Sequence, residues 1–221
     1  MLTLTLLRRS LVFLLVMTAL TCAYTGVLTL AGNTLFPFQA QGSILSLQGR
    51  HYSTLLGQPF AAPNHLWGRP VSADLTTYSD RGQPLFYAGP SNKSPALPEY
   101  AATMRERLER IHMAHPEKSG QPVPVDLLTE SGSGLDPHIS PAAAEYQVER
   151  LARATGFTAA EVRRTIAMYT QGRTLGLLGE PRVNVLEVNL ALDGLLPNGR
   201  APPPAPAGEV APDGVLTEQQ R

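Results

Sequence analysis

One stretch constrains this chain more than any other: residues 11 to 30, LVFLLVMTALTCAYTGVLTL, which contain no formal charge. At about 1.5 Å of rise per residue, about 20 helical residues cross a hydrocarbon core of about 30 Å. Ten of them are Leu, Val or Phe, each favouring insertion by roughly 0.3 to 0.6 kcal/mol, so the gross drive is several kcal/mol. Arg8 and Arg9 precede the run and the next basic residue is Arg50. That asymmetry places the N-terminus in the cytoplasm and everything after Leu30 outside. The expected layout is a cytoplasmic N-terminus over 1–10, a transmembrane helix over 11–30, an extracytoplasmic domain over 31–193 and a Pro-rich tail over 194–221.

Two other readings of the run stay open. A cleaved signal peptide has an apolar core of only about 7 to 15 residues ending in small ones, and a lipoprotein signal would modify Cys22, which follows Ala19, Leu20 and Thr21. Within the span the polar and small residues are ordered. Thr18, Thr21, Thr25 and Thr29 follow steps of three and four, and Cys22 and Gly26 continue the same side. Such a face suits close contact with another membrane helix, unless the threonines bond their own backbone carbonyls.

Composition narrows the partners. Eighteen acidic and eighteen basic residues give zero net charge, with no basic cluster to meet a nucleic acid. The single cysteine excludes an internal disulfide and a cysteine-based zinc site. Charged residues are only 16% and aromatics 6%, which suits one small globular domain with extensions rather than a large core.

That domain reads as α+β. Residues 43–56 form two short apolar runs around Gln48-Gly49-Arg50, a predicted hairpin. From Pro63 to Pro95 the composition is turn-like, predicting an ordered but irregular stretch. Ala101, Met104, Leu108 and Ile111 predict a helix starting near Pro98 and ending before Pro116. VPVDLL at 123–128 predicts a short edge strand. Ser140-Pro141 is a cap followed by proline at the first helical position; the helix buries Ala144, Val148, Leu151 and Ala152 until Gly156 stops it. Thr158 to Glu161 is a capping box for a second helix carrying Val162, Ile166 and Tyr169, completing a helical hairpin. VNVLEVNLAL at 183–192 fits either a strand or a buried helix. The tail, with its APPPAPAGEVAPDG, is expected to be disordered.

The chemistry-bearing residues crowd into SGSGLDPHISP. A serine hydrolase using Ser133 and His138 is one reading, but the G-x-S-x-G elbow needs glycines where Ser131 and Leu135 stand. Asp136 with His138 lacks a third metal ligand, and His112 with His115 reads as a solvated pair at a helix end. The structural alternative makes Ser131 to Gly134 a turn and Asp136-Pro137 an extended entry to the helix, with His138 bonded inside that turn.

DLLTESGSGLDPHISPAAAEYQVERLAR, then LGEPRVNVLEVNLALD, resembles the C chain of the Kdp potassium-transporting ATPase. So do Gly57-Gln58-Pro59-Phe60, Trp67-Gly68-Arg69-Pro70 and Gly89-Pro90-Ser91-Asn92, in family order from the membrane helix to about Asp193. TTYSDRGQPLFYAGPSNKSP and the Pro-rich tail depart from the family pattern. The resemblance implies an accessory, non-catalytic subunit of a P-type pump that imports potassium at the expense of ATP. Its helix would dock on the channel-like potassium-binding chain, with the outer domain over that chain's entrance. The family is also described as a catalytic chaperone that raises the ATP affinity of the ATP-hydrolysing chain. No firmly bound cofactor is expected; ATP enters by resemblance alone, and Ser131, Gly132, Ser133, Gly134 and Gln147 are where nucleotide contact would fall.

Overall fold

A computed structural model of the chain describes residues 2–74 and 87–198. The first part of the departing TTYSDRGQPLFYAGPSNKSP loop, to residue 86, and the Pro-rich tail from residue 199 lie outside the described residues. Helix α1, Leu2–Leu35, runs for 34 residues, about 51 Å at about 1.5 Å each, and so extends past both ends of the apolar run. None of its membrane-length apolar window is buried against the rest of the chain. Pro37 opens a single short turn, α2 (Pro37–Ala40), whose missing N–H is harmless at the first helical position.

The expected hairpin follows: β1 (Ile44–Leu47) pairs antiparallel with β2 (Arg50–Ser53) in the register Leu47↔Arg50 to Ile44↔Ser53. Gln48 and Gly49 both take positive φ, 48° and 75°, as a two-residue hairpin of this hand requires. A two-residue pairing, β3 (Ala73–Asp74) with β4 (Tyr87–Ala88), is antiparallel too. Helix α3, Pro98–Ala114, starts and stops where the periodicity puts it, with Ile111 buried.

Residues 123–128 are not a strand. Pro122 and Pro124 carry no N–H for a ladder, and Val125–Leu127 winds into a 3₁₀ turn that buries Leu127. Asp126 uses that turn to accept a hydrogen bond from the Ser140 N–H at 2.9 Å. The helix predicted from Ser140 to Gly156 is two helices, α4 (Pro141–Tyr146) and α5 (Val148–Thr155), with Gln147 between them. The caps hold: the Ser140 hydroxyl accepts from the Ala143 N–H, and Gly156 sits in the left-handed region at φ 73°. Helix α6, Ala159–Met168, opens on the predicted capping box of Thr158 and Glu161.

The ambiguous 183–192 stretch is both of its alternatives in succession. A three-stranded antiparallel sheet places β7 (Arg182–Asn184) between β5 (His138–Ile139) and β6 (Thr170–Gln171), and α7 (Val185–Leu192) follows directly. Asn184 makes the switch. Its Oδ1 caps the Glu187 N–H and its Nδ2 donates to the Thr54 carbonyl, tying α7 to the end of the first hairpin. The core gathers Leu66, Ile111, Leu127, Val148, Leu151, Val162, Val183, Val185 and Val188. One long apolar helix followed by a small domain of helices and short antiparallel sheets is the predicted α+β class.

Candidate functional site

Three features account for the sequence-derived candidates: the bare face of α1, the Ser131–Gly134 loop, and a buried polar hub around Gln147. On α1, Thr18, Thr21, Cys22, Thr25, Gly26 and Thr29 are all exposed. Thr18 donates to the Leu14 carbonyl at 2.8 Å and Thr21 to the Met17 carbonyl at 2.9 Å. Those two hydroxyls are satisfied within the helix and turn their methyl groups outward, and Gly26 has no atom within 4 Å of where its Cβ would stand.

The loop is a local turn that also organises the domain. Ser131 Oγ accepts from the Gly134 N–H at 3.0 Å and lies 3.2 Å from Ser133 Oγ, which accepts from the Leu135 N–H. Ser131 and Gly134 are buried, Gly132 and Ser133 exposed. Gly134 adopts φ +72°, and a Cβ there would meet the Ser72 carbonyl at 2.8 Å and the Gly89 carbonyl closer still. The carbonyl of Gly134 accepts from Ser72 N–H, and that of Leu135 from Gly57 N–H. This loop is therefore the seam along which the segments at 57, 72 and 89 are laid down.

His138 lies on β5, its Nδ1 3.5 Å from Asp136 Oδ1, while its backbone N–H donates to the same carboxylate oxygen. Burial lowers its pKa from the ordinary value, partly offset by Asp136. Ser133 bonds to Ser131 and Leu135, and among the described residues no hydrogen bond joins it to His138. The pairing a hydrolase needs is thus not assembled.

Gln147 is fully buried. Its Oε1 accepts from the Trp67 N–H at 2.8 Å, and its Nε2 donates to the Trp67 carbonyl at 2.9 Å. Asn189 treats the preceding residue identically, accepting from Leu66 N–H and donating to Leu66 carbonyl. Two side-chain amides thus replace a neighbouring strand for residues 66 and 67. Arg150, 3% exposed, completes the hub. It donates to the carbonyls of Pro63 and His65, to Gln147 Oε1 and to His115 Nε2, and its guanidinium lies 4.2 Å from the Trp67 ring centroid. Burial lowers its pKa to about 10, so it remains charged at neutrality.

His115 is a correction to the solvated pair: His112 is exposed, but His115 is wholly buried. Its Nδ1 lies 2.8 Å from the Ile111 carbonyl and its Nε2 receives the Arg150 N–H. Only the neutral ring protonated on Nδ1 satisfies both. Burial lowers its pKa accordingly. Arg150 and Asn189 escaped the sequence reading, although Gln147 and Arg150, three apart beside the apolar Val148 and Leu151, were a signal of a polar group on a buried face.

With this geometry in place, comparison with known proteins is decisive. The family model described as K+-transporting ATPase, c chain matches residues 7–194. The chain belongs to that family. A potassium-transporting ATPase KdpC subunit of Sorangium cellulosum is 53% identical over 190 residues, covering 85% of this chain and 97% of that protein. The KdpC subunit of Clostridium perfringens is 48% identical over 193 residues, 86% and 97% of the two chains. That of Burkholderia mallei is 47% identical over 183 residues, 82% and 92%. As a c chain the protein is an accessory subunit of a potassium-transporting ATPase, and the hydrolysis belongs to another chain. Its one long apolar N-terminal helix among the described residues fits a single-pass membrane protein.

Proposed function

We propose that the chain assembles and stabilises a high-affinity, ATP-driven potassium import complex, held in the cell membrane by α1 with its N-terminus in the cytoplasm and its α+β domain outside. The observation that carries this reading is the helix from Thr3 to Leu35, with an apolar window whose mean hydropathy is 2.1 and none of which is buried against the rest of the chain. Apolar surface on that scale is stable only in lipid or against another apolar helix. Arg8 and Arg9 at its start support the orientation. Residues 11–30 are the span proper, 31–193 the outer domain and 194–221 a tail beyond it.

The Thr18, Thr21, Cys22, Thr25, Gly26 and Thr29 face is the surface we assign to the channel-like potassium-binding chain, with lipid on the other side of the helix. The outer domain then lies over that chain's entrance. Raising the ATP affinity of the hydrolysing chain is a further role we assign to this subunit. Any direct nucleotide contact falls to Gly132 and Ser133, the exposed part of the Ser131–Gly134 loop, because Gln147 is committed to Trp67 and Arg150.

The test is purification of the tagged full chain from native membranes in mild detergent, with its partners and intact mass identified. Co-purification of a potassium-stimulated ATPase with residues 1–30 retained is the expected result. A solitary chain, or one cleaved or lipidated at Cys22, would overturn the assembly reading.

A further inference from the structure

The outer domain buries Leu66, Leu127, Leu151, Leu186, Leu190 and Leu192, yet leaves three leucines of one loop almost bare. Leu175, Leu177 and Leu178 are 87%, 81% and 63% exposed. They sit in GRTLGLLGEP, the connection between β6 and β7. This loop is built, not slack. Thr174 and Leu178 exchange backbone hydrogen bonds in both directions at 2.8 and 2.9 Å, and the N–H groups of Gly176 and Leu177 bond back to Arg173 and Thr174. Arg173 and Glu180 close its neck with an ion pair at 2.7 Å. Leu175 itself is held at φ 54°, a left-handed conformation unusual for a bulky residue, which persists where the surrounding bonds over-determine it. The far side of the mount is equally firm, since Val183 on β7 is wholly buried.

We propose that residues 174–178 form a preorganised apolar knob that seats in an apolar pocket on the outer surface of a partner chain of the same potassium-transporting ATPase. This rests on the assembly role argued above. A lipid surface is the poorer occupant: Trp and Tyr are the residues enriched at the membrane–water interface and free basic residues draw a chain to anionic lipid, whereas GRTLGLLGEP has no aromatic residue and its one arginine is paired with Glu180. A second copy of the chain is poorer still. Three leucines, each smaller than an aromatic side chain of about 150–250 Å², fall short of the roughly 800 Å² per partner that a stand-alone complex needs. A chain already tethered by its membrane helix does not need that area, because a linked second contact works at an effective concentration in the millimolar range.

The experiment uses the full chain co-expressed with the other pump chains. Leu177 is replaced by a photoactivatable amino acid with Cys22 left in place, and a separate variant replaces Leu175, Leu177 and Leu178 by Ser. Because these side chains are exposed, the triple variant should keep the wild-type unfolding midpoint of Trp67 fluorescence. The expected result is a crosslink from residue 177 to another pump chain, and roughly tenfold less outer-domain crosslinking partner retained by the triple variant under detergent challenge. Crosslinks only to lipid, to a second copy or to residues 199–221 overturn the knob while co-purification of the wild-type complex leaves the assembly reading standing. Failure of the wild-type chain to co-purify with any ATPase chain overturns both.

Discussion

Gln147 holds both polar atoms of the Trp67 backbone, accepting from its N–H at 2.8 Å and donating to its carbonyl at 2.9 Å across 80 residues of sequence. The same Oε1 takes the Arg150 Nη2 proton at 2.6 Å. One side chain therefore satisfies two backbone groups and part of a buried cation. Replacing Gln147 by Leu keeps the volume but orphans all three. At about 1–3 kcal/mol for each unsatisfied buried group, and more where the group is charged, the outer domain should lose about 3–5 kcal/mol. Trp67 is the only tryptophan, so its fluorescence during denaturation of the full chain in detergent reads this loss directly. A midpoint equal to wild type would mean that the hub does not hold the 57–70 segment in place.

What was legible in the sequence, and what was not, follows from the range of the interactions. Local rules governed the caps at Ser140, Gly156 and Thr158, the Gln48-Gly49 turn and the limits of α3, and these stand as predicted because each depends on neighbours within four residues. What was misread or left open lies where a distant partner decides. Val125–Leu127, already denied a ladder by its prolines, is held as a turn in which Asp126 reaches Ser140. The 183–192 stretch changes from strand to helix at Asn184, whose amide is fixed by Thr54. His115 is buried because Arg150, 35 residues on, supplies its second hydrogen bond. No periodicity encodes such pairs. The family resemblance was carried by contiguous strings, and so was visible without them.

His115 should make the domain acid-sensitive. Its folded pKa lies below the ordinary value near 6.5 because burial disfavours the charged ring. A depressed folded pKa contributes stability that is fully present above about 6.5 and is lost as pH falls toward the folded value. Protonation would also set a second cation against Arg150, with Arg153 nearby and only Glu117 opposing, beside the neutral rings of Trp67 and Tyr146. His115→Gln keeps an acceptor for Arg150 but cannot titrate. Its unfolding midpoint should be lower than wild type at pH 8 and change less between pH 7 and 5. His138, also lowered by burial, is present in both proteins and cancels in the comparison. Parallel pH profiles would show that His115 is not the titrating group.

The glycines of SGSG should separate sharply. At Gly134 a Cβ would stand 2.8 Å from the Ser72 carbonyl in a left-handed backbone, and at Gly57 it would stand 2.7 Å from the Asp136 carbonyl. Neither neighbour is a flexible side-chain tip, so Gly134→Ala and Gly57→Ala should each cost about 1–3 kcal/mol. A Cβ at Gly132 meets nothing within 4 Å, and Gly132→Ala should stay within about 0.5 kcal/mol of wild type. Equal midpoints for all three would mean that the seam at residues 57, 72 and 134 is looser than its hydrogen bonds indicate.

The bare face of α1 is testable by making it bulky without changing its polarity balance elsewhere. Thr18 and Thr21 already bond to Leu14 and Met17, so what that part of the face offers a neighbouring helix is close approach rather than hydroxyl donors. Replacing Thr21, Thr25 and Gly26 by Leu fills it with side chains while leaving the helix more apolar, and insertion is preserved. Val16 and Val27, about half a turn around the helix, give the control, since Val16→Leu and Val27→Leu add bulk toward the opposite side. Small residues let two membrane helices approach closely, so the first variant should retain roughly tenfold less of the other pump chains in detergent, about 1.4 kcal/mol, and the control should match wild type. Equal retention by both would show that the partner meets some other face of the helix, and would leave the outer domain to carry the assembly.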